Sequence, residues 1–226
     1  MPALPKIPPP RKLDHVWFEA TGGHAHAVRI LRRHLTPLRS VRVLAGLLRR
    51  QVLTDPFASV GPIPAGDVAE WLTRRQLGPV ILLDETLRED LGLSPDEARP
   101  ILADLIAEVG TQLLARRFPR IDPAAWASAD APARESIARG VFARLGNVFQ
   151  ADVRTSDQDM AIDVRRCRFA ELCRQLDKGH LAPLFCAADE RFFATTETSV
   201  TFERTQTLAS GGSHCDFRFQ IRNPTD

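Results

Sequence analysis

A chain of 226 residues is long enough to bury roughly 70% of its unfolded surface, as one large domain or as a helical layer joined to a smaller α+β unit. An apolar fraction of 44%, a charged fraction of 26% and a net charge of +2 are ordinary for a globular protein and give no electrostatic case for a nucleic-acid partner. No run approaches the ~18–20 apolar residues of a membrane-spanning helix, which excludes a helical membrane protein.

Residues 1–13 carry Pro2, Pro5, Pro8, Pro9 and Pro10 and read as an extended arm. They offer no apolar core for a signal peptide, so a cytoplasmic location with reduced cysteines is expected. From about Asp14 to Leu53 the pattern is helical, with Val28, Leu31 and Leu35, then Val41, Leu44 and Leu48 recurring at three and four residues. Pro37 is predicted to separate two helices. Seven arginines, including Arg29, Arg33 and Arg42, lie here with no acid between Glu19 and Asp55. They suit either an anion-binding surface or the solvated face of an amphipathic helix. No aromatic residue interleaves with them, which favours the solvated face. His24 and His26 are two apart, do not share a helix face and have no ligand partner at metal spacing, so they mark a helix start.

Residues Asp55 to Asp67, broken by Pro56, Gly61, Pro62, Pro64 and Gly66, read as loop. Ser94-Pro95-Asp96-Glu97 combines a capping residue, a proline at the first helical position and a glutamate able to return to the cap. A helix is predicted from there to about Arg117, burying Ile101, Leu102, Leu105, Ile106, Val109 and Leu113. Another fits Ala133 to Leu145, stopped by Gly146. Glu85, Asp90 and Glu108 show nothing to distinguish them from surface acids.

After Gly146 the period changes to two. Phe149, Ala151 and Val153, the turn Ser156-Asp157-Gln158-Asp159, then Ile162 and Val164 read as a β-hairpin. Helices follow at about Phe169 to Leu176 and Ala182 to Ala194, then a second hairpin of Ser199 to Leu208 and His214 to Ile221. The predicted fold is α+β, an N-terminal helical layer packed with a C-terminal ββααββ antiparallel-sheet unit. It divides into the arm (1–13), a helical scaffold (14–146) and an α+β unit (147–226), integrated with the helices as one domain.

All four cysteines lie in the last third. Cys186 and Asp189 are three apart and share a helix face. Cys215 alternates with Phe217, Phe219 and Ile221 on the apolar face of the last strand, while Asp216 and Arg218 point the other way. Val200, Phe202 and Leu208 share their parity with Arg204, and an inward arginine needs a partner: Asp189, or the carboxylate of a small substrate held bidentately. Cys167 precedes a helix, where peptide dipoles and neighbouring Arg166 and Arg168 are expected to favour its thiolate. Cys173 faces elsewhere and reads as core. His214 is adjacent to Cys215 but on the opposite strand face. The expected site is therefore Cys167, Cys186, Asp189 and Cys215 as catalytic groups with Arg204 as substrate-binding group. No cofactor or metal is expected, because there is no CxxC pair and the cysteine spacings match no zinc finger.

The order of a helix-opening Cys167-Arg168-Phe169, LAPLFCAAD with Cys186 and Asp189, a strand with Arg204, a Gly-Gly turn and HCDFRF with Cys215 resembles the L-2-amino-thiazoline-4-carboxylic acid hydrolase family. The likeness runs from about Phe149 to the end. Glycine followed by Cys-x-Phe in a last strand also resembles small-ligand-binding domains of the 4-vinyl reductase type. The first resemblance implies hydrolysis of a C–N bond in a small cyclic amidine or amide; in the namesake reaction 2-aminothiazoline-4-carboxylate opens to N-carbamoyl-cysteine. Attack by a thiolate at Cys186 or Cys215, or by water with Asp189 as base, fits equally. The implied partner is a small-molecule carboxylate, with neither nucleic acid nor membrane, and a homo-oligomer is compatible. The alternative is a non-catalytic module that binds a small ligand or a metal through its thiolates.

Overall fold

A computed structural model describes Lys12 and residues 24–145, 148–196 and 198–222. The Pro-rich arm lies outside this range apart from Lys12. Helices α1 (His24–His34) and α2 (Pro37–Leu53) are separated at Pro37, which takes the first helical position of α2 behind a Thr36 cap. Helix α3 (Val68–Glu85) starts at Asp67, whose side chain accepts from the Glu70 N–H at 2.8 Å, and leads into a π-type turn over Thr86–Asp90. Helix α4 (Pro95–Arg117) opens on the expected capping box: Ser94 N–H donates to Glu97 and the Glu97 N–H donates to Ser94 Oγ. Short α5 (Pro123–Ser128) and α6 (Ala131–Leu145) complete the helical layer.

The hairpin β1 (Val148–Thr155) and β2 (Asp159–Cys167) passes directly into α7 (Arg168–Gln175), then α8 (Ala182–Thr195), β3 (Val200–Glu203) and β4 (Cys215–Ile221). The sheet is antiparallel in the order β1-β2-β4-β3. Pairing of Ile162 with Phe217 and Val164 with Cys215 puts their side chains on one face. That face packs through Phe118, Phe192, Phe193, Phe202 and Phe219, whose rings meet at centroid distances of 4.7–6.0 Å. The expected ββααββ unit on a helical layer is the observed architecture.

One expectation needs correction, and one helix has no counterpart among the predicted elements. The strand predicted from Ser199 to Leu208 ends at Glu203, because buried Asp216 draws the Thr205 and Gln206 N–H groups to its carboxylate at 3.0 and 2.8 Å. Helix α3 carries only a weak amphipathic period because it is central: Leu72, Leu77, Val80, Ile81, Leu82 and Leu83 are buried over most of its circumference, and only a narrow stripe with Arg75 and Pro79 is exposed.

Polar ties lock the layers. Arg168 of α7 donates to Glu70 of α3 at 2.7 and 3.1 Å, and Glu70 also receives Arg74 at 2.6 Å. His26 Nδ1 lies 3.2 Å from Glu108 and His34 Nε2 2.8 Å from Asp104, so these histidines serve the contact of α1 with α4. Among the described residues no helix is long and apolar enough to cross a membrane.

Helices α4 and α8 cross so closely that a Cβ at Gly110 would stand 2.6 Å from that of Ala188. Gly110→Val is therefore expected to push α8 off α4 and to cost about 1–3 kcal/mol in urea unfolding. An unchanged midpoint would show that the crossing can open freely.

Candidate active site

Cys167 ends β2 at the start of α7, Cys186 and Asp189 lie on α8, and Cys215 opens β4. All four line one cavity of about 850 Å³ between the sheet unit and the helical layer. The register that pairs Val164 with Cys215 puts both on the cavity side, where they line its wall. The i, i+3 spacing turns Cys186 and Asp189 to the same wall. Cys173 is fully buried among apolar side chains. His214 turns to the far face of the sheet, 3.8 Å from Asp163.

Arg204 does not line the cavity. It stands behind Asp189, its side chain 3% exposed. One guanidinium nitrogen donates to Asp189 Oδ2 at 3.2 Å; another donates to the Cys186 carbonyl at 3.1 Å and to Glu190 at 2.6 Å. The rings of Phe202 and Phe217 lie 5.7 and 5.6 Å from the guanidinium carbon. The Arg204–Asp189 pairing read from strand parity is thus present, and the arginine also fixes the backbone at Cys186. The arginines that do line the cavity are Arg74, Arg75 and Arg117.

Burial dominates the electrostatics. It pushes the Cys186 thiol up to about 12 and the Cys167 thiol up to about 11, and it raises that of Cys215 as well. The expected thiolate at Cys167 is corrected accordingly. The Ala170 and Phe169 N–H groups at the helix start do act to lower it, but burial outweighs them. Arg166 and Arg168 give their guanidinium groups to Glu171 and Glu70 instead. Each sulfur feels the charge of Asp189, a sign of how closely they gather. Among the described residues no three His, Cys, Asp or Glu side chains form a group that could hold a metal ion.

Burial also pushes the Asp189 carboxyl up to about 6, against the opposing pull of Arg204. A carboxylate poised near neutrality on a cavity wall has the acidity of a general acid–base catalyst. Residues 75–219 match the family model described as L-2-amino-thiazoline-4-carboxylic acid hydrolase.

The chain belongs to that family. It is accordingly a hydrolase of non-peptide C–N bonds in small cyclic amidines or amides, which decides between the two readings of the cysteine-bearing unit. The matched segment of the hydrolase begins within α3 and ends in β4, well upstream of the Phe149 start of the resemblance. It contains Cys167, Cys186, Asp189, Arg204 and Cys215 and leaves out α1 and α2. No curated protein and no solved structure matches the chain.

Strand parity alone turned Asp216 towards solvent, yet it is 8% exposed and pins the loop behind the site. Its carboxylate accepts from Thr205 Oγ1 at 2.6 Å and from two backbone N–H groups. Burial works to raise its pKa, but these hydrogen bonds outweigh it and hold the group at about 2. Loop 204–210 in turn carries the Leu208 N–H that donates to Cys215 Sγ at 3.3 Å. No local signal marks it, because its partners Thr205 and Gln206 lie eleven and ten residues upstream.

Asp216→Asn is expected to cost about 1–3 kcal/mol at neutral pH. Because the folded pKa is depressed, this stabilisation is present above the ordinary carboxylate value and fades as pH falls from there towards 2. Chemical denaturation of both proteins from pH 7 to pH 2 measures it; a difference constant with pH would contradict the assignment.

Proposed function

We propose that the hydrolase opens a cyclic amidine bearing a carboxylate, with Asp189 as the general base that activates water. One observation carries this reading: a cavity-lining carboxylate, held by buried Arg204, with its pKa raised towards neutrality. At pH 7 such a group is mostly ionised and can accept a proton. Water adds to the amidine carbon while its proton passes to Asp189. The tetrahedral adduct collapses by breaking a ring bond, and Asp189 returns the proton to the departing atom. In an aminothiazoline, expulsion of the ring nitrogen gives an S-carbamoyl product, and N-carbamoyl-cysteine forms when the ring sulfur leaves. Mass spectrometry of the product separates the two.

We take water as the nucleophile because burial keeps the thiols neutral: a thiol held near 12 offers no standing thiolate, whereas water is activated in the same step in which Asp189 takes its proton. In this reading Cys167, Cys186 and Cys215 are neutral walls around the reacting carbon. A second reading is favoured by the placement of Cys186 three residues before Asp189 on one helix face. There Asp189 takes the thiol proton and Cys186 forms a covalent adduct that water later hydrolyses. Arg204 positions Asp189 in both.

Asp189→Asn is expected to lower kcat by about 10²–10⁴-fold in assays on cyclic amidine carboxylates. Cys186→Ser is expected to retain activity within tenfold; its complete loss, with a covalent adduct on the wild-type protein, would establish the second reading. For the wild type, kcat/KM should rise with pH through about 6, because the base must be ionised. Arg204→Gln removes the group that lowers the Asp189 pKa, so this limb should move to higher pH. An unmoved limb would make Arg204 purely structural.

A further inference from the structure

The cavity extends far beyond the reactive groups. Its volume of about 850 Å³ lies in the ~300–1,000 Å³ range of sites for drug-sized ligands, and a five-membered ring with its carboxylate fills only a fraction of it. The sulfur and carboxylate groups sit on elements of the sheet unit. The remaining wall is built by α1, α2, α3 and α4, which supply Leu31, Leu44, Leu47, Leu83, Leu105 and Ile106. The lining residues most open to solvent are Gln51, Thr54, Asp55, Arg75 and Pro79, which gather where the end of α2 meets α3. A polar mouth there leads along an aliphatic passage to the reactive end at Cys186 and Asp189. Leu31, Leu44 and Leu47 precede residue 75, so this part of the wall lies outside the matched family segment.

We propose that this hydrolase takes amphipathic substrates: a cyclic amidine or amide head that reaches Asp189, carrying an unbranched alkyl or acyl tail that fills the passage lined by α1, α2 and α4. The proposal rests on the hydrolase reading of the inner end and adds the substrate class. A passage of leucine and isoleucine side chains offers hydrogen bonds to nothing, so a polar extension would lose its hydration there uncompensated. An alkyl chain gains by burial instead. Each methylene transferred from water to such a wall is worth about fourfold in affinity. Phe169 and Phe185, stacked at a centroid distance of 4.4 Å, line the cavity as well and narrow the choice to a slender chain.

The test is a homologous series of cyclic amidine carboxylates with n-alkyl tails from methyl to decyl. Binding is measured by calorimetry on Asp189→Asn, so that turnover does not intervene, and hydrolysis is measured on the wild type. Kd should fall about fourfold per methylene until the passage is full, with KM following it. Leu44→Trp and Leu105→Trp should shorten the tail length of tightest binding. Should either fail to fold, Leu47→Gln at a half-buried position should weaken long tails selectively. A Kd independent of tail length, with short rings still hydrolysed, overturns the proposal and leaves the hydrolase reading intact. Tail-dependent binding with no ring in the series hydrolysed supports the passage and overturns the proposed amidine chemistry.

Discussion

The site depends on one buried ion pair. Asp189 faces an apolar cavity, and Arg204 behind it supplies the opposite charge. Breaking such a pair by removing one partner commonly costs about 3–5 kcal/mol, because the other is left uncompensated. Arg204 is itself supported on three sides: Glu190 and the Cys186 carbonyl accept from it, and two phenylalanine rings flank it. The loop that carries it is pinned by Asp216 from the opposite face of β4. A chain of polar contacts thus runs from the outer face of the sheet to the cavity wall.

The apolar character of the cavity also sets the acidity of every group that lines it. Withdrawal from water raises thiols and carboxylates alike, because both are charged only when deprotonated. The thiols move far above neutrality, while the carboxylate, starting lower and opposed by an arginine, arrives near it. One environment therefore silences the sulfurs and tunes the carboxylate. This is why we assign the acid–base role to Asp189 rather than to the three sulfurs beside it.

The work is divided between the layers. The sheet unit carries the candidate reactive groups, while the helices carry the shape of the cavity and are locked to it by the Arg168–Glu70 contact and by the close crossing at Gly110. Family membership follows the first part and extends into α3 and α4, whose inner faces belong to the same cavity.

Much of this was legible in the residues alone. Local signals placed the capped helix at Ser94, the hairpin turn at Ser156 and the alternation that turns Cys215 inward, since each depends only on neighbours within a few residues. The same periodicities brought Cys186, Asp189 and Arg204 to one place. Helix α3 escaped because a helix buried over most of its circumference has too narrow a polar stripe to reveal its period. The early end of β3 escaped because Asp216, eleven residues from Thr205, competes for its backbone. The neutral thiol of Cys167 was likewise beyond local reading: the helix start and the flanking arginines argued for a thiolate, but those arginines turn to Glu70 and Glu171. What the sequence by itself determined was which groups meet. Only the tertiary structure decided their charge, because desolvation comes from walls contributed in part by helices far upstream in the chain, Leu31 of α1 among them.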